Sequence, residues 1–459
     1  MSDPLERRDE ETTALAYVLE EARRYLAELD ESSVLPSRET RFGGELPDHG
    51  GGALAALAEL VAGSDLATRS SGPRFFHFVT GGTTPAALGA DWLTSVLDQN
   101  SFSAASSPYG AELEDVAIRW LLDLFELPRD WGGVLTTGAT MANFVGLASA
   151  RRWWAERHGI DVDEHGFAGL PAVPVFSTEY LHASARKALA MLGIGRESPR
   201  LVDVKSLERE LAALNSEPAI LIGNAGDVNT GDFDPIDRMA DLAAEHGAWL
   251  HVDGAFGLFA RIAPEAAALA KGLERADSVI ADGHKWLNVP YDCGFAFVRD
   301  PAYLRPPFQL TAAYLPTDER PSPEASRRAR SLAVWATLRA YGRAGHRAMV
   351  ERHIALAQRL GRRVEQEREL ELLAPVKLNI VCFRHRPMGL DEDQLDAHNL
   401  ALGQDVIEDA RVFFGTTRYE GRVAFRPAIV NWRTTEPDID LLADVVLELG
   451  ARRARSVDG

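Results

Sequence analysis

Five short apolar runs punctuate the middle of the chain: "AVPVFST" around Val173, "PAILIGNAG" around Ile220, "GAWLHVDG" around Leu250, "DSVIADG" around Val279 and "CGFAFVRD" around Phe295. Amphipathic stretches such as Ser184–Leu192 and Pro235–His246 lie between them. Runs that are apolar at every position suit strands buried on both faces. With helices between them, they predict a mostly parallel sheet in an α/β fold. In such sheets ligands bind beyond the carboxyl ends of the strands. The polar residues of this region gather at those ends, at Asn224–Asn229, Asp253 and Asp282–Lys285.

The flanks read differently. Leu15, Val18, Leu19, Ala22, Leu26 and Leu29 recur at helical spacing and predict an amphipathic N-terminal helix. Its apolar face must cover either the rest of the chain or a second subunit. "GGGALAALAELVAG" predicts a second helix. After the sheet region, the Pro-rich stretch from Pro306 to Pro323 reads as an irregular connection. A helix is predicted from Glu324 through the 340s. The strand candidates "KLNIVCFR" and "GRVAFRPAIVNW", with a closing helix from Pro437, predict a smaller α+β domain. The expected division is a helical segment over 1–65, a large α/β domain over 66–320 and a small domain over 321–459.

Composition narrows the partners. The 459 residues carry 68 acidic and 49 basic side chains, a net charge of -19. So acidic a chain repels nucleic acid and anionic membranes, and no basic stripe offsets this. The two cysteines, Cys293 and Cys382, do not make a disulfide framework. The start lacks the basic and apolar regions of a signal peptide, and no apolar run is long enough to span a bilayer. The expectation is a cytoplasmic protein acting on a small molecule.

Lys285 is the centre of the chemical reading. It lies in "SVIADGHKW", at the end of a run that should be buried. Desolvation there frees an amine to attack carbonyls. Asp253 ends the preceding run, 32 residues earlier, a distance that fits one crossover between neighbouring parallel strands. A carboxylate facing such a lysine can pair with the ring nitrogen of pyridoxal phosphate and keep it protonated. In "LTTGATMANFVGLASAR" a strand meets a helix start, where backbone N–H groups bind phosphate and Thr140 adds a hydroxyl. His182, just past a strand, has the shape to stack on a flat ring. Taken singly, each has a plainer reading: a solvated lysine, a capping aspartate, a threonine N-cap, a satisfied histidine. Ser184 and Lys187 form an S-x-x-K that helical spacing explains. No zinc-binding pattern occurs, so no metal is expected.

Together these residues carry a resemblance. "TTGATMAN", "STEYLHAS", "HVDGAFG" and "GHKW…DCG", in this order, with "SPYGAELE" and "RPAIVNWRTTEPDID", resemble the landmarks of the pyridoxal-phosphate decarboxylases of the aromatic-amino-acid and glutamate decarboxylase family. The resemblance implies an aspartate-aminotransferase-like fold (fold type I), with a mostly parallel seven-stranded sheet and a small α+β C-terminal domain. It implies a homodimer with active sites at the interface. By the same resemblance Lys285 holds the cofactor as a Schiff base, Asp253 pairs with its ring nitrogen, and His182 stacks on the ring. Gly138, Ala139 and Thr140 hold the phosphate, and Asp227, Ala255 and Asp282 line the cofactor. His284 lies near the substrate, with Phe102 and Tyr314 in the substrate pocket.

The implied activity is decarboxylation of an aromatic or other bulky L-amino acid to an amine and CO2. Some features depart from the family. The position of a mobile-loop tyrosine that delivers the Cα proton falls near Asp318. Asp227 stands where threonine is usual, and Asp282 where asparagine is common. Family members without the loop tyrosine can release an aldehyde instead, so oxygen-dependent decarboxylation, transamination or aldol cleavage stands as the alternative. A purely non-catalytic role would require Lys285 or Asp253 to be absent.

Overall fold

The computed structural model describes residues 10–35, 45–310, 312–315 and 320–457. Asp318, the expected loop position, lies outside the described residues. The strands of the large sheet are β1 (Gly132–Thr136), β2 (Val175–Ser177), β3 (Pro199–Leu201), β4 (Ile220–Asn224), β5 (Trp249–Asp253), β6 (Ser278–Asp282) and β7 (Gly294–Val298). They are arranged in the order β1-β7-β6-β5-β4-β2-β3. Strands β3, β2, β4, β5 and β6 pair in parallel, and β7 runs antiparallel to both β6 and β1. All five apolar runs of the sequence form strands of this sheet.

Both faces are covered, which is why those runs are largely apolar. Leu221, Leu250, Val252 and Val279 pack with Leu121, Phe125 and Phe259 on one side. Ile220, Ile222, Trp249 and Ile280 pack with Val145, Leu147 and Trp154 of the helix Ala139–Glu156 on the other. The connection from β5 to β6 is three short 3-10 turns within 257–275 instead of one helix. It still sets the two strands side by side, with His251 opposite Ser278 and Asp253 opposite Ile280.

The C-terminal strands form a second, antiparallel sheet in the order β10-β11-β9-β8: β8 (Leu370–Leu372), β9 (Phe383–His385), β10 (Thr416–Tyr419) and β11 (Arg422–Phe425). Helix Glu436–Val457 closes the chain. The helix expected from Glu324 begins at Ser331 and extends to Gln366, broken at Gly342 (φ 59°, ψ -175°). The backbone of the stretch before Ser331 is engaged elsewhere, the Arg327 carbonyl accepting from the Ser101 amide at 3.0 Å and the Arg327 amide donating to Asn100 Oδ1 at 3.1 Å.

Arg327 anchors this stretch to the core. Its Nη2 lies 2.7 Å from each oxygen of Glu114, both side chains almost wholly buried, and Glu114 Oε1 also accepts from the Leu135 amide of β1. Removing one partner strands the other charge in the interior. Glu114→Ala is expected to cost about 3–5 kcal/mol, read as a lower urea midpoint at unchanged slope. A loss under about 1 kcal/mol would mean that water reaches Arg327.

The N-terminal helix is present at Glu10–Glu28, yet none of its residues is buried, and Leu15 and Leu19 remain 51% and 42% exposed. Beside it lies an apolar groove of about 490 Å³, lined in part by Leu19, Tyr25, Leu26, Trp92 and Trp432. Cys293 and Cys382 are both buried free thiols. No helix among the described residues is long and apolar enough to cross a membrane.

Candidate active site

Lys285 lies in a single π-helical turn, Gly283–Leu287, at the carboxyl end of β6. Such turns are rare, and many mark functional sites. Asn288, fully buried with a left-handed φ of 57°, holds the turn. Its amide Nδ2 donates to the carbonyls of Trp286 and Val430 at 3.0 and 2.9 Å, and its Oδ1 accepts from the Trp432 amide at 2.9 Å. Trp286 adds a second tie, its Nε1 donating to His353 Nδ1 at 2.8 Å, while His353 Nε2 donates to the Asn431 carbonyl. The lysine turn is thus tied to the chain that leaves the small sheet.

The Lys285 ammonium is ion-paired, not isolated in an apolar pocket as its flanks suggested. Its Nζ lies 3.0 Å from Asp282 Oδ2 and 5.8 Å above the Phe256 ring centre. Asp282 Oδ1 accepts from the Ala139 amide at 2.5 Å, so one buried carboxylate joins the lysine to the start of the helix Ala139–Glu156. His284 is 3.5 Å from the same oxygen through Nε2 and accepts from the Cys293 amide through Nδ1. Its ring stacks on Tyr291 with centres 4.3 Å apart. Burial holds the His284 pKa below its ordinary value, against the pull of Asp282.

Gly138 precedes this helix at φ 146°, a conformation that side chains avoid, and a Cβ there would meet His284 Cε1 at 2.9 Å. Among the described residues, the Thr140 hydroxyl and the amides of Thr140 and Met141 make no hydrogen bond. A helix start with unspent donors is an anion site.

Asp253 ends β5 and is 5% exposed. Its Oδ2 accepts from Asn143 Nδ2 at 2.8 Å and lies 3.5 Å from Ser184 Oγ, and its Oδ1 accepts from the Ala255 amide at 3.1 Å. The Ala255 carbonyl accepts from the Asp282 amide, which joins the two carboxylate groups. His182 caps the helix Ala183–Met191, its Nδ1 accepting from the Ser184 amide and lying 2.7 Å from Ser184 Oγ. Asp227, after β4, stitches its own turn: Oδ2 accepts from the Asn229 and Thr230 amides and the Thr230 hydroxyl.

The structure therefore brings together Lys285, Asp282, His284, Gly138, Ala139, Thr140, Ala255, Asp253 and His182 around the carboxyl ends of β5 and β6. Phe102 and Tyr314 share no hydrogen bond or ring contact with that group among the described residues. Phe102 is buried, its carbonyl accepting from the Arg320 amide, and Tyr314 is 86% exposed. Four contributors have no site role in the sequence reading, although the quoted motifs contain them: Asn143, Ser184, His251 and Arg426. Arg426 donates from Nη1 to the Val228 carbonyl at 3.1 Å, beside Asp227, and no carboxylate pairs with it among the described residues. Burial pulls its pKa down, so the cation is poorly hydrated.

These residues fit pyridoxal phosphate: an amine for the aldehyde, unspent donors for the phosphate, and a buried carboxylate for the ring nitrogen. Fold and site define a fold-type-I pyridoxal-phosphate enzyme. Residues 63–386 match the model of the pyridoxal-dependent decarboxylase conserved domain, and the chain belongs to that family. It is 28% identical over 389 residues to an aromatic-L-amino-acid decarboxylase of Bacillus atrophaeus, covering 80% of this chain and 79% of that protein. It is also 28% identical over 415 residues to a phenylacetaldehyde synthase of Petunia hybrida, covering 83% of this chain and 81% of that one. The crystal structure of Oryza sativa TDC with PLP and tryptamine superposes with a TM-score of 0.91 at 24% identity, covering 98% of this chain and 99% of that chain.

Proposed function

We propose that the protein is an L-amino-acid decarboxylase that releases CO2 and an amine from an aromatic or other bulky substrate. The observation that carries this reading is the placement of an amine and a buried carboxylate, Lys285 and Asp253, at the carboxyl ends of the neighbouring parallel strands β6 and β5. Pyridoxal phosphate, when bound, supplies an electron sink for a carbanion at Cα. Lys285 holds the cofactor, and the turn Gly138–Thr140 binds its phosphate. Asp253 keeps a proton on the ring nitrogen, and His182 covers the ring face. Asp227 fixes the turn beside the cofactor. Arg426, a desolvated cation with no salt-bridge partner among the described residues, receives a carboxylate of the incoming amino acid. His284, neutral through burial and carrying its proton on Nε2 while Nδ1 accepts, presents a donor next to Lys285. Phe102 and Tyr314 belong to the substrate pocket in this reading.

The protein works as a cytoplasmic homodimer, the partner covering the exposed Leu15 and Leu19 face and the apolar groove beside it. Sedimentation is expected to give twice the 50.2 kDa chain mass, and a monomer at micromolar concentration would remove this element.

A second reading is oxygen-dependent decarboxylation to an aldehyde. It is favoured by the likeness to phenylacetaldehyde synthase and by the aspartate at the expected loop position. The test incubates the cofactor-loaded protein with aromatic, acidic and basic L-amino acids, with and without oxygen, and identifies products by mass spectrometry. Equal amine in both atmospheres supports the first reading. Aldehyde formed only with oxygen supports the second, and keto acid or no product overturns both.

A further inference from the structure

We propose that Asn143 and His251 are positioning residues, the last links of a buried relay that fixes the Asp253 carboxylate for the cofactor's ring nitrogen. The inference rests on the reading that Asp253 faces that nitrogen. Trp249, His251 and Asp253 alternate along β5 and so project from one side of the sheet, towards the helix that carries Asn143. Ser278 is the register partner of His251 on β6.

The polarity of the chain is determined at every link. An indole N–H only donates. Trp249 Nε1 donates to Ser278 Oγ at 3.0 Å, so the serine's own proton is available to His251 Nδ1, 2.8 Å away. His251 then carries its ring proton on Nε2 and donates to Asn143 Oδ1 at 2.8 Å. That bond turns the amide of Asn143 so that Nδ2 donates to Asp253 Oδ2 at 2.8 Å, with its other proton towards Ser184 Oγ at 3.2 Å. The opposite amide orientation would set an oxygen against the carboxylate. Each group donates in the direction of Asp253, so the bonds polarise one another.

Asn143, His251 and Ser278 are all 0% exposed. Burial lowers the His251 pKa to about 4, which keeps the ring neutral and the direction of donation fixed. The helix leaves room for the ring: a Cβ at Gly146 would lie 2.7 Å from His251 Cε1.

A buried polar network also stabilises a fold whatever its function, and the test separates the two roles. Asn143→Ala and His251→Leu break the relay, His251→Gln keeps an N–H to donate, and Asp253→Asn removes the charge the relay serves. Each apoprotein is titrated with pyridoxal phosphate, its dissociation constant and visible band are recorded, and thermal midpoints are measured with and without cofactor. Asn143→Ala and His251→Leu are expected to weaken cofactor binding about tenfold, about 1.4 kcal/mol, and to shift the band. They should also reduce the midpoint gained on cofactor binding, and His251→Gln should recover most of the affinity. Asn143→Ala only removes atoms and decides the matter if His251→Leu does not fold. Affinity and band unchanged in Asn143→Ala, with both midpoints lowered equally, would make the network purely structural and overturn the proposal. If Asp253→Asn also leaves affinity and band unchanged, the ring-nitrogen reading of Asp253 itself fails. If Asp253→Asn changes them and Asn143→Ala does not, only the relay fails.

Discussion

With Lys285 replaced by alanine, the protein is expected to lose the visible absorption band of lysine-bound cofactor and at least about a thousandfold of its turnover. The amine cannot be supplied from elsewhere in the site: Lys187, Lys205, Lys271 and Lys377, the remaining lysines, do not lie at the ends of β5 or β6. The substitution also has a structural consequence. Asp282 loses the ammonium 3.0 Å from Oδ2 and remains a buried carboxylate held by the Ala139 amide. A buried carboxylate deprived of its ion-pair partner costs about 3–5 kcal/mol. Lys285→Ala is therefore expected to unfold at lower urea even without cofactor, and adding Asp282→Asn should restore the midpoint while leaving the band absent. That pairing separates chemistry from stability. Restoration of both by the double variant, or a band surviving in Lys285→Ala, would remove Lys285 from the role assigned to it.

Lys285 and Asp253 were legible because each ends an apolar run, where a charge has no place in the strand's own packing. Strand β3 was not, because Pro199–Leu201 is an edge strand with Arg200 and Leu201 exposed, and so lacks the run of buried residues that betrays its neighbours. The late start of the helix at Ser331 depends on pairing between Arg327 and Asn100–Ser101, contacts more than two hundred residues apart. The N-terminal helix was legible as a face needing cover, and the single chain leaves that face open. Within the site, Ser184 was set aside as one half of an S-x-x-K at helical spacing, yet its hydroxyl meets His182 and Asn143. His251 carried a usable signal: a polar residue inside a buried run, two positions before Asp253, must find a partner on the same side of the sheet. Arg426 heads the landmark "RPAIVNWRTTEPDID", but that motif does not show that the cation has no carboxylate partner within the described residues.

Acid is expected to dismantle the protein through histidines that the fold keeps neutral. Burial lowers His251 and His346 to about 4, and His353, aided by Arg352, to about 3. Once the chain unfolds, these rings protonate near the ordinary histidine value of 6.5. The folded pKa is the depressed one, so the stability each supplies is complete above 6.5 and is lost as pH falls from there towards 4, or towards 3 for His353. At pH 5 the loss is about 2 kcal/mol for each, roughly 6 kcal/mol together, against a total stability of about 5–15 kcal/mol. Two of the three also support the site: His353 accepts from Trp286 in the turn bearing Lys285, and His251 donates to Asn143. Acid should thus release the lysine turn and the Asp253 relay as the fold gives way. Urea midpoints at pH 7, 6 and 5 measure the slope directly. His353→Gln keeps an acceptor for Trp286 and a donor for the Asn431 carbonyl but cannot titrate, so its slope should be shallower by close to one proton. A midpoint flat from pH 7 to 5, or a slope unaltered by His353→Gln, would mean that these rings meet water in the folded chain and that the acid sensitivity lies elsewhere.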